Sequence, residues 1–182
     1  MPRTAITGEK IDVETLLKET ASSSDGALLL FLGVVRGHHG GRQVAGLVYE
    51  AYREMAEETL ERIAGEAEER FGTDRIRVLH RVGALEVGEV STAIAVATPH
   101  REESYGASRY IIEEIKKRLP IWKHEHYLEG DAAWVEGEVP EVGGGVGSAV
   151  WPALSMRSDL DSVENPEGKR DGPVGDRGGE DA

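Results

Sequence analysis

The sequence predicts an α+β fold, in which helices and antiparallel strands share one core. Segments that alternate apolar and polar residues with period two are interspersed with segments whose apolar residues recur at helical spacing. Short, glycine-bearing connections between strands favour hairpins and therefore antiparallel pairing. With 182 residues, 39% hydrophobic and 30% charged, the chain suits one domain with an appendage.

Taken in order, residues 11–20 (IDVETLLKET) read as a short helix with Ile11, Leu16 and Leu17 able to share a face. GALLLFLGVVR, residues 26–36, is an apolar run too short and too glycine-bounded for a helix, so it reads as a buried strand. The loop GHHGGR follows, and VAGLVYEA at 44–51 reads as a second strand, making 26–51 a β-hairpin. From Glu54 to Phe71 the apolar positions Ala56, Leu60, Ile63, Ala64 and Ala67 recur at helical spacing, and Gly72 stands where a C-cap belongs. RIRVLHRVG (75–83) and VSTAIAVATP (90–99) read as strands joined by the connection GALEVGE. A helix from about Glu102 to Leu119 turns Ser108, Ile111, Ile112, Ile115 and Leu119 inward, and Pro120 ends it. Residues 121–137 (IWKHEHYLEG, then AAWVEG) form a closing pair of strands.

Charge divides the chain. Of the formal net charge of −13, residues 138–182 carry −6, together with 9 of the 23 Gly and 4 of the 7 Pro. Such a composition cannot bury enough apolar surface to order itself, so 1–137 is expected to be the folded domain and 138–182 a disordered acidic tail. The apolar group around Trp151 is the tail's one candidate docking segment.

The same composition excludes whole function classes. Without a single Cys the chain has no disulfide framework, thiolate metal site, Cys nucleophile or persulfide-carrying loop. The acidic balance argues against a surface devoted to nucleic acid, though not against a local basic pocket. No apolar run approaches the roughly 20 residues of a membrane span and no basic-then-apolar leader opens the chain, so a cytoplasmic protein is expected. Neither GxxxxGK[ST] nor a strand-led GxGxxG occurs, and Ser22, Ser23 and Ser24 lack a nucleophile-elbow context.

In an acidic chain the informative feature is where cations sit beside structural punctuation. Arg36, His38, His39 and Arg42 fall in the glycine loop, and His100 and Arg101 follow Pro99 at the start of a helix. A helix start offers free N–H groups and positive dipole charge, so added His and Arg there point to a bound anion such as phosphate rather than to solvated loop charge alone. Lys116, Lys117, Arg118 and Lys123 surround Pro120. Cations in a last helical turn are ordinary dipole compensation, but Lys123 lies beyond it, after Ile121 and Trp122. A Lys partly buried beside Trp can have a depressed pKa and act as base, nucleophile or oxyanion partner. His124 and His126 share one strand face and Glu125 takes the other, which with His100 leaves a metal hydrolase as an alternative. No third ligand has diagnostic spacing and no HExxH is present, so the metal pattern is weak and no metal is expected.

Six segments in consistent order carry a resemblance: FLGVVRGHHGG, LVYEAYREMAEETL, HRVGALEVGEVS, TPHRE, IKKRLPIWKHE and DAAWVEG. From about Ala27 to Val135 the sequence resembles the MoaE family, the large catalytic subunits of molybdopterin synthase. The resemblance implies an α/β hammerhead-like fold with an additional antiparallel sheet and a sulfurtransferase without a cofactor of its own. Sulfur would pass from the C-terminal thiocarboxylate of a small ubiquitin-like, MoaD-like carrier to cyclic pyranopterin monophosphate, forming the dithiolene of molybdopterin. It implies a homodimer of catalytic subunits within a heterotetramer. Lys116 and Lys123 match the family's two active-site lysines, and Arg36, His100 and Arg101 match its anionic-substrate pocket, partly supplied by the neighbouring protomer. Val34, Val35, His124 and Glu125 fall in substrate-contact segments, whereas His39 departs from the Asn common in that loop. A catalytically silent scaffold that binds the carrier or the pterin is the alternative of the same fold.

Overall fold

Residues 1–128 and 133–135 are described by a computed structural model, and among them lie three helices and nine strands in two sheets. The tail beyond these residues, with its expected disorder and the Trp151 segment, lies outside the described residues. The first sheet has the order β1 (Thr4–Thr7), β5 (Ile76–Arg81), β7 (Val90–Thr98) and β2 (Ala27–Val34). Only β1 and β5 pair in parallel. β7 lies between two strands and under helices, which is why VSTAIAVAT is buried at every position after its first.

Two helices cover one face of this sheet: α2 (Arg53–Phe71) and α3 (Arg101–Arg118). Leu60, Ile63 and Ala64 of α2 and Ile111 and Ile115 of α3 meet Ile76, Val78, Ile94 and Val96 in the main core. The helix α1 (Val13–Thr20) lies on the opposite face, where Leu16 packs with Leu79, Ala93 and Ala95. Its first turn is capped by Asp12, whose carboxylate accepts from the Thr15 N–H at 3.1 Å. Gly72 closes α2 as expected, in the left-handed region at φ 67° with its N–H on the Glu68 oxygen. Arg118 fastens α3 to α2 by a two-pronged contact with Glu66, at 2.5 and 2.9 Å.

The second sheet is built on β4 (Arg42–Ala51), with β8 (Ile121–Tyr127) and then β9 (Ala133–Val135) on one side and β6 (Gly83–Glu86) on the other. β3 (His38–His39) returns into β4 through Gly40 and Gly41, both at positive φ (56° and 80°), the two-residue hairpin turn that Gly-Gly accommodates best.

The α+β class and the additional antiparallel sheet are therefore present, with three differences from expectation. Residues 26–51 are not one hairpin: β2 pairs with β7 in the first sheet, and β4 belongs to the second. The break falls at Gly33 and Val34, where the β2–β7 register shifts and the chain leaves the first sheet. GALEVGE is not merely a connection, because Gly83–Glu86 forms β6 against β4. β1 was not foreseen at all; it is four residues long and too short for periodicity to show.

Ile63 is fully buried between α2 and the first sheet. Ile63→Ala should lower the unfolding free energy by about 2–5 kcal/mol in a urea titration; a loss below about 1 kcal/mol would mean that this interface is not the main core.

Candidate active site

A cavity of about 680 Å³ opens where the last turn of α3, the first half of β8 and the end of β2 converge. Lys116 reaches it from α3, whose helix stops at Leu119 because Pro120 has no N–H to continue it. The next residue already begins β8, and strand alternation turns Ile121, Lys123 and Glu125 into the cavity. Val34, Val35, Arg36, His38 and His39 line it from the segment leaving β2. The lysines separate cleanly from their neighbours: Lys117 pairs with Glu114 at 3.2 Å, Arg118 is held by Glu66 and Glu114, and Lys116 has no ion-pair partner among the described residues.

At the centre is Glu125, 4% exposed. One carboxylate oxygen takes the Lys123 ammonium at 2.8 Å. The other faces Nδ1 of His39 at 2.8 Å and accepts from the Tyr127 hydroxyl at 2.9 Å. Burial by itself would raise the Glu125 carboxyl, but the hydrogen bonds from Lys123, Tyr127 and His39 and the charge of Lys123 outweigh it and hold the group below the ordinary carboxylate value. Arg42 stacks on the Tyr127 ring, 3.6 Å from its centroid. Among the lining residues Glu125 is the one acid, set against Arg36, Lys116 and Lys123.

Two expectations need correction. Lys123 is not packed beside Trp122: adjacent strand residues face opposite ways, Trp122 is 48% exposed, and the neighbour of the Lys123 ammonium is Glu125. His124 likewise turns away from the cavity and stacks edge to face on His126, with ring centroids 5.0 Å apart. The third finding concerns His100 and Arg101, which line a separate cavity of about 440 Å³ with Glu102 and Tyr105 at the start of α3. Fifteen helical residues, about 22 Å, separate Arg101 from Lys116, so one chain does not bring them together. No group of three His, Asp or Glu among the described residues is placed to hold a metal ion. Tyr49 and His80 are among the lining residues that the sequence does not single out; the signal for His80 is a polar residue on the core-facing stripe of β5.

Sequence and fold both match proteins of one family. The family model described as MoaE protein matches residues 6–118. The chain belongs to the MoaE family. It is 43% identical over 130 residues to the molybdopterin synthase catalytic subunit of Pyrococcus abyssi, a match covering 71% of this chain and 87% of that relative. Its fold resembles the crystal structure of molybdopterin synthase from Staphylococcus aureus, with a TM-score of 0.71 at 36% identity over 75% of this chain and 98% of that one. The complex of subunits 1 and 2 of molybdopterin-converting factor from Helicobacter pylori has the same fold, with a TM-score of 0.62 at 20% identity over 76% and 94% of the two chains. MoaE membership accounts for the order of the six sequence segments, and the cavity gathers residues from four of them: Arg36, Tyr49, His80, and Lys116 with Lys123.

Glu125→Gln keeps the shape and removes the charge that Lys123 and His39 share. The variant should be less stable than the unaltered protein by about 3 kcal/mol at pH 7, because it leaves the Lys123 ammonium without its partner. Because the folded carboxyl is held below its ordinary value of 4.5, its contribution is complete above that value and is lost as pH falls through the lower, folded-state one. Urea titrations at pH 7 and near pH 3 check this; a difference that persists undiminished at the lower pH would show that charge is not its source.

Proposed function

We propose that the chain is the catalytic subunit of a molybdopterin synthase: it transfers sulfur from the C-terminal thiocarboxylate of a small ubiquitin-like carrier to cyclic pyranopterin monophosphate, forming the dithiolene of molybdopterin. The observation that carries this reading is the joint presence of Lys116, Lys123 and Arg36 around one cavity in a chain whose net charge is −13. Both reactants are anionic, one a phosphate ester and the other a thiocarboxylate. A cationic cavity in an acidic protein concentrates such ligands where the rest of the surface repels them.

The residues divide the work by position. Lys123, held by Glu125, stands with its ammonium oriented: once the thiocarboxylate sulfur has bonded to the pterin, water adds to the acyl carbon of that thioester, the ammonium stabilises the oxyanion, and its collapse breaks the acyl C–S bond, leaving sulfur on the pterin and the carrier as a carboxylate. Lys116, without an ion-pair partner among the described residues, is available to hold substrate and intermediate, and Arg36 offers a planar fork suited to phosphate. Val34 and Val35 supply backbone and apolar wall beside them. Having no Cys, the chain carries no sulfur itself, and the carrier's terminus delivers it.

The separation along α3 is what favours an assembly in which two chains share a site. In a homodimer of catalytic subunits, His100 and Arg101 of one protomer complete the phosphate end of its partner's cavity, and one carrier docks on each protomer to give a heterotetramer. The complex of the two Helicobacter pylori subunits is a precedent for pairing this fold with a second, different subunit. Residues 1–137 act as the catalytic domain, 138–182 as an accessory tail, and the reaction belongs in the cytoplasm. The silent-scaffold alternative predicts binding without turnover; the Lys123 ammonium oriented by Glu125, which charge attraction alone does not require, favours the catalytic reading.

Reconstitution with thiocarboxylated carrier and cyclic pyranopterin monophosphate should yield molybdopterin. Lys123→Ala should lower the rate by about 100-fold or more while leaving carrier binding intact, the loss expected when an oriented electrostatic partner is removed; full activity of that variant would remove the role given to Lys123. Replacing Arg36 and Arg101 together by Ala should raise KM for the pterin by at least about tenfold, and an unchanged KM would put the phosphate elsewhere.

A further inference from the structure

Strand alternation puts Ile76, Val78 and His80 on the face of β5 that packs beneath α2 and α3, so an imidazole continues an apolar stripe. His80 is 6% exposed. An imidazole so far withdrawn from water normally satisfies both ring nitrogens, and here only one is satisfied. Nδ1 lies 3.0 Å from the backbone oxygen of Arg81. A carbonyl oxygen only accepts, so Nδ1 carries the proton and Nε2 keeps a bare lone pair. Nε2 has no hydrogen-bond partner among the described residues.

His80 nevertheless lines the cavity of Lys116 and Lys123. Its ring meets Tyr49, another lining residue, edge to face with centroids 5.2 Å apart, and this contact fixes the imidazole plane. Burial holds the imidazolium down to a pKa of about 4, against the opposing pull of the Arg81 carbonyl, so the ring is neutral at pH 7. Neutrality matters because of what surrounds it. Arg36, Lys116 and Lys123 are donors only, suited to a ligand's anionic groups, and the Glu125 carboxylate is already taken by Lys123, His39 and Tyr127. A ligand's own donors need an acceptor, and beside the hydroxyls of Tyr49, Ser91 and Thr92 and the rings of His38 and His39 the lining offers Nε2 of His80, held in place and without a proton to give.

We infer that Nε2 of His80 accepts a hydrogen bond from a ring N–H or hydroxyl donor of the substrate's uncharged heterocycle, which makes His80 a specificity-determining residue of this cavity. The inference rests on the sulfur-transfer reading, in which the occupant is a reduced pterin with N–H groups along its ring edge. The cations recognise charge and would take many phosphate esters; His80 distinguishes among them, since a heterocycle without the donor displaces solvent from the cavity-facing nitrogen and leaves it unpaired, and so binds more weakly.

His80→Phe keeps a ring against Tyr49 and removes the acceptor, whereas His80→Gln restores an amide oxygen near the position of Nε2. In titration calorimetry, cyclic pyranopterin monophosphate should bind His80→Phe about tenfold more weakly than the unaltered protein, equivalent to one buried hydrogen bond. His80→Gln should recover part of that loss, and affinity for the carrier should be unchanged in both. A folded His80→Phe protein with unaltered pterin affinity overturns the inference. Should neither variant fold, the unaltered protein labelled with 15N-histidine decides: Nε2 of His80 should resonate as an unprotonated nitrogen in the free protein and shift on addition of the pterin. A protonated Nε2, or a resonance unmoved at saturation, overturns it. Unaltered protein that makes molybdopterin while His80→Phe binds normally refutes the His80 inference alone. Unaltered protein that makes no product with carrier and pterin refutes the sulfur-transfer reading, and the pterin as occupant with it.

Discussion

The cavity depends on an abrupt change from helix to strand at Leu119 and Pro120. A proline at this point cannot donate to the α3 ladder, and its ring clashes with a helical predecessor, so the chain leaves α3 and enters β8 within one residue. The junction is held from outside as well. Tyr52, at the start of α2, donates its N–H to the Pro120 oxygen, and Ala51, at the end of β4, pairs with Ile121 at the start of β8. Two of the crossings between sheets, those that run through helices at the end of β4 and at the end of α3, thus lie side by side and fix each other. Lys116 is carried by the helix that packs on the first sheet and Lys123 by a strand of the second, so this paired crossing keeps the two ammonium groups at one cavity.

Electrostatics then selects among conformations that the backbone allows. Several cations around one cavity repel each other, and a compact arrangement needs a negative charge among them. Glu125 supplies it from a buried position, joining Lys123 on its own strand to His39 on β3 and to Tyr127. Because the carboxylate holds Lys123 and not Lys116, the two lysines differ: one is oriented and partly neutralised, the other keeps its full field. The same chemistry at two positions therefore supports two roles, set by environment rather than by residue type. His39, the loop residue at which the sequence departs from the resemblance, contributes to this network. The departure noted in the sequence falls on a residue that grips the central carboxylate, and not on a bystander of the loop.

Much of the fold was legible because its elements bury one face or both. The stripe Leu60, Ile63, Ala64 and Ala67 announces α2 and the continuous apolar run of β7 announces a central strand, since burial and periodicity are the same fact seen in structure and in sequence. Pairing was less legible. Hairpin logic joined 26–36 to 44–51 because neighbours in sequence usually pair, and nothing local marks the register shift at Gly33 and Val34 that sends them to different sheets. β1 and β6 are four residues each, and their strand character comes from partners distant in sequence: Thr4 faces Val78, and Leu85 faces Leu47. At the site, residue chemistry singles out Lys123, and only the family resemblance selects Lys116 over Lys117; Glu125 as the hub was not legible, because a strand carboxylate reads the same whether it faces water or three hydrogen-bond donors.

His80 shows where residue type misleads. On a core-facing stripe between apolar neighbours, a histidine is most simply a satisfied core group, and Nδ1 on the Arg81 oxygen satisfies half of that description. The other half fails only because the cavity reaches the far side of the ring. Whether a buried polar atom is filler or recognition element depends on what lies beyond it, a property of the packed whole. The cations announce that something anionic binds, whereas the neutral nitrogen carries the finer information about which heterocycle is attached. Charge sets attraction over a distance of several ångströms, but an unpaired acceptor acts only at contact, so the less conspicuous group is the one able to discriminate.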